Sequence, residues 1–390
     1  MTTLPCEIVN DILSCLPPKS LQRFKLVSKP WGSLISDPNF VESHLRRAYT
    51  ISQGDHNANL LRVGQIGGIL YQSGDLGWAL YHMNSEGLNR KVVMIEHDDF
   101  ARCIDLAGIL GTCNGLFLVL IITRPSKMCI LWNPSSRKCK TIPPYHVPSD
   151  MALVISGLGY ESSSRNYKGV VVYSPCTPWT SQGAYGNKEF LCLVYNYKNN
   201  SWTRKYESDY DLFDFSHSWD VATVNGVPHW CVFRIDQQNF SKTYLIVYFD
   251  LENENFKVLV GLPEWGIEEM KFHLGVLGDC LCMSVLSQES LGGTEVWAMK
   301  EYGISESWMK LFVIPHSSTR LWPLCFRGKK EVLIAELDEE GITYSENLLI
   351  FNLKENTLRD FSTHDNYSRG FHFFTYVASL VSPEEHENQL

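Results

Sequence analysis

The groups in this 390-residue chain that could hold a metal or carry out acid–base or nucleophilic chemistry are 12 cysteines, 12 histidines and 43 carboxylates. Their spacing argues against such sites. No two cysteines form a Cys-x-x-Cys pair, and the nearest two, Cys280 and Cys282, alternate with Leu281 and Met283 as residues of a strand do. A zinc site needs clustered Cys/His ligands, so the cysteines read as small, buried, reduced apolar residues. His229-Trp230 lies in an alternating stretch, where a packed core histidine is expected ahead of a ligand or base. Gly157-Leu158-Gly159 lacks the third glycine of a dinucleotide fingerprint and reads as a turn between strands. There is no P-loop, no Gly-x-Ser-x-Gly elbow and no His-Glu-x-x-His. No metal, cofactor or catalytic residue is expected.

What remains is recognition chemistry. Two loop-like stretches, 174–189 and 205–220, hold Trp179, Tyr185, Tyr206, Tyr210, Phe213, Phe215 and Trp219, with Asp209, Asp211, Asp214 and Asp220 interleaved. Aromatic side chains on loops often anchor interfaces, and loops on a rigid scaffold are where recognition usually sits. These residues are the candidate substrate-binding set. The competing reading is that the rings pack beneath their own loops or fill a central channel. A formal charge of −9 disfavours a broad nucleic-acid surface.

The first fifty residues differ from the rest. Between positions 4 and 16, Ile8, Val9, Ile12, Leu13 and Leu16 recur at the spacings of one helical face. Pro17-Pro18 ends that helix. Lys19-Ser20 opens a second, with Leu21, Phe24 and Val27, and Ser28 opens a third, with Trp31, Leu34 and Ile35 on one face. Pro30 falls in the first turn of that third helix, where backbone donors are unpaired anyway. Asp37-Pro38 is a cap and first turn for a short helix through Phe40, Val41 and Leu45. Helices in so short a segment cannot bury all their apolar surface among themselves. They either pack on the chain's larger domain or dock a helical partner.

The string LPCEIVNDILSCLPPKSLQRFKLVSKPWGSLI resembles the F-box. Leu4, Pro5, Ile8, Ile12, Leu13, Leu16, Pro17, Leu21, Phe24, Val27, Ser28, Trp31, Leu34 and Ile35 occupy the positions of that family's pattern, and Pro30 departs from its usual polar residue. The resemblance implies that these residues grip a Skp-type adaptor, which joins the chain to a cullin scaffold and a RING protein.

Beyond position 60, apolar strand-like runs alternate with Gly, Asn, Asp, Pro and Ser clusters. One pattern recurs: an apolar strand ends at a pivot residue, a polar hairpin follows, and an aromatic or apolar residue opens the next strand. With Asn84, Asn133, Asn196, Asp250, Met299 and Asn352 as pivots, the intervals are 49, 63, 54, 49 and 53 residues. A period near 50 is that of four-stranded, kelch-type propeller blades. Six pivots imply six blades closed into a ring that protects the sheet edges. A sandwich or partly open β domain is the alternative. The diagnostic Gly-Gly pairs of true kelch blades are largely missing, so "kelch-like" describes architecture alone. The phrases CNGLFLVL, WNPSSRKCKTIPP, GLGYESSSRNYK, VNGVPHWCV and WAMKEYGISESWMKLF also resemble, in their order, the F-box-associated domain of plant F-box proteins.

The expected organisation is therefore α+β: a small helical F-box at 1–48, a linker at 49–60, a large all-β propeller-like domain at 61–380, and an acidic tail at 381–390, with the run 383–387 solvated. The resemblance implies a non-catalytic substrate receptor of a Skp–cullin–F-box ubiquitin ligase, capturing a protein for ubiquitination. An enzyme or glycan-binding propeller capped by helices is the competing class. The opening residues lack a secretory signal, and the longest apolar run, 116–122, is too short to span a bilayer. A soluble protein of the cytoplasm or nucleus is expected, without nucleic-acid or membrane partners.

Overall fold

The computed structural model describes residues 5–50, 66–73, 77–84, 87–92, 106–122, 127–175, 190–205, 221–235, 242–261, 272–286, 293–315, 320–337, 345–361 and 372–384. Four helices come first: α1 (Cys6–Ser14), α2 (Pro18–Phe24), α3 (Lys29–Ser36) and α4 (Pro38–Thr50). Their boundaries follow the expected local chemistry. Ser28 caps α3, its hydroxyl accepting from the Trp31 amide at 3.4 Å, with Pro30 in the first turn. Asp37 Oδ1 accepts from the amides of Asn39 (2.8 Å) and Phe40 (3.2 Å) and so caps α4. The last helix runs past the expected boundary at 48, and the expected linker otherwise lies outside the described residues.

All the strands that follow belong, among the described residues, to six four-stranded antiparallel sheets, the blades of a β-propeller. β1 (Ile66–Ser73), β2 (Gly77–Asn84) and β3 (Gly87–Val92) belong to a first blade, whose fourth strand comes from the other end of the chain. The second blade is β4 (Leu106–Cys113), β5 (Leu116–Ile122), β6 (Lys127–Asn133) and β7 (Lys138–Ile142). The third is β8 (Met151–Glu161), β9 (Asn166–Pro175), β10 (Leu191–Asn196) and β11 (Ser201–Lys205). The fourth is β12 (Ala222–Val224), β13 (Val227–Ile235), β14 (Lys242–Asp250) and β15 (Asn255–Gly261). The fifth is β16 (Phe272–Leu277), β17 (Cys280–Leu286), β18 (Gly293–Met299) and β19 (Trp308–Pro315). The sixth is β20 (Arg320–Arg327), β21 (Glu331–Leu337), β22 (Ser345–Asn352) and β23 (Thr357–Asp360). Finally, β24 (His372–Val377) pairs antiparallel with β1 and completes the first blade.

Each pivot residue of the repeat ends the third strand of its blade. The reason is turn chemistry. Oδ1 of Asn133, Asn196, Asp250 or Asn352 accepts a backbone amide two or three residues on, at 2.8–3.1 Å. Four residues after each of these pivots stands a left-handed residue: Arg137, Asn200, Glu254 and Asn356, with φ of 48–59°. In the longer fifth hairpin Met299 follows the same offset with Gly303 (φ 81°), whose amide meets the Met299 sulfur at 3.2 Å. Middle strands are buried on both faces, as in β9 and β10, while outer strands such as β11 and β23 are largely exposed. That gradient explains why the middle strands read as continuous apolar runs.

Neighbouring blades share cores. Leu116, Leu118 and Leu131 of the second blade pack with Leu158, Val171 and Tyr195 of the third, and Trp230 and Val247 of the fourth pack with Val170 and Val194 of the third. Trp230 Nε1 also donates to Ser156 O at 3.1 Å. The helices have their own core of Leu13, Leu21, Ile35 and Phe40, closed by Leu380 from the far end of the chain.

Of the expected acidic tail the structure describes residues 381–384, and Pro383 departs from the solvated run expected at 383–387. Val381 and Pro383 are buried, and Lys138 pairs with Glu384. The acidic composition of 383–387 hid an apolar residue with a waiting pocket at 381.

The blades approach most closely at glycines of the inner strands. A Cβ at Gly157 would sit 2.8 Å from both Pro228 Cβ and Trp230 Cζ2, while Gly108 has open space around it. Gly157→Ala is expected to cost about 1–3 kcal/mol through overpacking and to lower the melting temperature, with Gly108→Ala as the milder control; thermal melts of the two variants check this.

Candidate functional site

The F-box segment separates into residues that build its core and residues left outside it. Leu13, Leu21 and Ile35 are sealed in that core and offer no surface to a partner. Val9, Leu16, Phe24, Trp31 and Leu34 pack against it and are partly accessible, with Phe24 and Trp31 meeting edge to face at 5.7 Å. Ser28 serves as the α3 cap. Leu4 lies outside the described residues. Pro5 and Pro17 are exposed at the starts of α1 and α2.

The exposed apolar side chains are Ile8 (46%) and Ile12 (51%), one turn apart on α1, and Leu26 (88%) and Val27 (63%) in the turn between α2 and α3. Each large apolar side chain left in water forgoes roughly 1.5–3 kcal/mol of burial. Four in one short segment leave apolar area with a reason to be covered. Leu26, the most exposed of them, escaped the sequence reading. The three-residue spacing of Leu21, Phe24 and Val27 suggested one helical face with Leu26 off it, but α2 ends at Phe24 and the following turn points both Leu26 and Val27 outward.

Strand parity assigns the two rims of the propeller. In an antiparallel blade the connections between first and second strands, and between third and fourth, share one rim, while the other connections share the opposite rim. The helices meet the first of these rims. Val41 and Leu45 of α4 pack on the core shared by blades two and three, and Arg165, in the β8–β9 turn, pairs with Glu42 at 3.2 Å.

All seven aromatic residues expected to bind substrate (Trp179, Tyr185, Tyr206, Tyr210, Phe213, Phe215 and Trp219) lie outside the described residues. The strand ends that flank them, those of β9, β10, β11 and β12, lie on the rim away from the helices. On that same rim the structure assembles an aromatic arc that sequence reasoning missed. Tyr244 meets Phe233 at 6.0 Å and Phe272 at 5.0 Å, both edge to face, and His273 stacks on Trp322 at 4.0 Å with 11° between the planes. These five residues come from three blades, so no local pattern in the sequence connects them.

Among the described residues no group of three or more His, Cys, Asp or Glu side chains is placed to hold a metal ion. His229 is fully buried. Its Nδ1–H donates to Ala222 O (3.2 Å), and Nε2 accepts from the Tyr302 hydroxyl (2.6 Å), so the ring is satisfied while neutral. Burial lowers its pKa to about 4. His44 is buried in α4, where Nε2–H donates to Leu16 O at 2.9 Å and holds the end of α1. Burial also lowers its pKa, partly offset by that bond.

Comparison with known proteins bears on both halves. Residues 1–43 match the F-box domain, and residues 81–383 match the F-box associated beta propeller domain. F-box protein CPR1 of Arabidopsis thaliana is 31% identical over 404 aligned positions, covering 98% of this chain and 89% of that protein. Protein SUPPRESSOR OF NIM1 1 of the same plant is 32% identical, covering 67% of this chain and 64% of the relative. Among solved structures, TolB from Acinetobacter baumannii aligns with a TM-score of 0.43 at 9% identity, covering 86% of this chain and 71% of that one, a likeness too slight to bear on function.

The two histidines set a pH dependence. Each has a folded-state pKa below the ordinary 6.5, so the native state binds fewer protons than the unfolded chain, and stability present above pH 6.5 falls as the solution is acidified. For His229 the gap between 6.5 and about 4 corresponds to about 3 kcal/mol, lost by the time the pH has fallen to about 4. Chemical denaturation at pH 7.5 and 5 is expected to show the first part of this loss, about 2 kcal/mol, with a smaller slope in His229→Gln; a slope equal to wild type in that variant would refute the assignment.

Proposed function

The chain belongs to the F-box proteins that carry an F-box associated β-propeller domain, and on that premise we propose that it is the substrate-recognition subunit of a Skp–cullin–F-box ubiquitin ligase. The observation that carries this reading is the exposure of Ile8, Ile12, Leu26 and Val27 on an F-box whose own core is already closed by Leu13, Leu21, Ile35 and Phe40. These exposed residues, with the partly accessible Leu16, Phe24, Trp31 and Leu34, form the surface that takes the Skp-type adaptor. Through that adaptor the chain joins a cullin and a RING protein.

The propeller then holds a protein substrate on the rim away from the helices. The aromatic arc of Tyr244, Phe272, His273 and Trp322 supports that placement, because rings that combine area with few rotatable bonds are suited to anchoring a partner. The chain acts without catalytic residues of its own. Tethering raises the effective concentration of substrate lysines beside the charged conjugating enzyme, and rate comes from proximity and orientation.

Ile12→Asp and Leu26→Asp test the adaptor surface. Both side chains are exposed, so circular dichroism and the melting temperature are expected to stay near wild type. Adaptor affinity is expected to fall at least about tenfold for each, as for loss of an interface anchor of about 1.4 kcal/mol or more. Titration with purified Skp-type adaptor checks this, and unchanged affinity in both variants would sink the reading.

A further inference from the structure

Residues 378–384 follow β24 and enter two cores at once. Leu380, 4% exposed, packs among Leu13, Leu21, Ile35 and Phe40 of the F-box, and Val381, 9% exposed, packs in the core shared by the second and third blades. The Cα atoms of consecutive residues lie about 3.8 Å apart. A rotation of the F-box on the propeller therefore has to pull one of these two side chains out of its core.

The propeller grips the segment from below. Asn133 is fully buried, and its Nδ2 donates to Ser379 O (3.2 Å), Ser379 Oγ (3.3 Å) and Val381 O (2.6 Å). Its Oδ1 meanwhile accepts from the Ser135 amide at 2.8 Å. Gly115 is pressed so closely by Ser379 and Val377 O that no side chain fits there. Further along, the Tyr197 hydroxyl donates to Ser382 O at 3.4 Å and Lys138 pairs with Glu384.

Domains joined in one chain move relative to each other by default unless their interface is large and apolar. A segment anchored in both cores removes that freedom. We propose that residues 378–384 are a strap that fixes the angle between the adaptor surface and the capture rim, with Asn133 and Leu380 as positioning residues for ubiquitin transfer. The inference rests on the ligase reading for its consequence and on the geometry alone for its mechanics. In a ligase that works by placing lysines near a charged enzyme, a fixed angle restricts which lysines are reached. A loosened angle leaves binding intact and spreads the sites of modification.

The test uses full-length chain with ketone-bearing amino acids at the exposed positions Ser43 and Glu355, each coupled to a spin label. The wild-type pair is expected to give a narrow distance distribution by electron double resonance. Asn133→Asp keeps the acceptor for the Ser135 amide and loses the donor to the strap, so it separates the hairpin from the grip. Both it and Leu380→Ala are expected to broaden the distribution, while Leu380→Met restores it. Adaptor affinity is expected to stay at the wild-type value in Asn133→Asp, whose change lies outside the F-box. In the reconstituted ligase that variant is expected to accept ubiquitin on a wider set of its own lysines. A distribution as narrow as wild type in Asn133→Asp and Leu380→Ala overturns the proposal. So does broadening that comes only with loss of adaptor affinity in both variants, which would make the strap a stabiliser of the F-box and no more. Failure of the wild-type chain to bind adaptor would sink the ligase reading while the distances still report on the strap.

Discussion

The ring closes because β24, the last strand among the described residues, supplies the innermost position of the blade that β1, β2 and β3 begin. An open array of blades would leave a row of unpaired backbone groups and an uncovered apolar face at each end. Closure also fixes where the chain must leave. β24 is an inner strand and β1 the second strand of the same blade, so the end of β24 and the start of β1 lie on one rim. The F-box meets that rim, through α4 and through the segment beyond β24. The opposite rim carries the strand ends of β9, β10, β11 and β12. Separation of the F-box from the opposite rim thus follows from strand parity.

Much of this was legible because it depends on short-range chemistry. Ser28 and Asp37 announce helix starts through side chains that accept amides two or three residues away. The pivots Asn133, Asn196, Asp250 and Asn352 announce hairpins for the same reason, and Asn114-Gly115 and Asn225-Gly226 supply the paired left-handed residues of tight turns. A repeat of such signals survives even where other blade residues have diverged. Met299 kept the period without the oxygen, its sulfur standing in at the longer hairpin.

What was not legible depends on long-range partners. Leu13, Leu21 and Ile35 share the helical spacing of Ile8 and Ile12, yet the first three are sealed and the other two exposed. Periodicity locates an apolar stripe; it does not say which edge of the stripe the chain covers for itself. Here part of the covering comes from Leu380, more than 340 residues away in sequence. The pairing of His273 with Trp322 is likewise set by the meeting of the fifth and sixth blades, and neither residue's neighbours foretell it.

One seam recurs around the ring. The hairpin between the third and fourth strands of a blade leans back on the blade before it. In the fourth blade, Leu251 fills the space over Gly159, and its carbonyl accepts from buried Lys168 at 2.5 Å. Lys168 also lies 3.1 Å from Glu254 and 3.4 Å from Glu161, so the charge buried at this seam is paired from both blades. In the fifth blade, Tyr302 reaches back to His229, and Gly303 sits against Leu259. The second blade's hairpin begins at Asn133, and the blade before it ends in β24. At that position the backward contact falls on the segment that continues β24, with Asn133 gripping Ser379 and Val381. The hold on the F-box is therefore one more instance of the seam seen in the fourth and fifth blades, taken over where the chain leaves β24. A change that loosens Asn133 acts on the ring seam and on the F-box angle together, because the same amide serves both.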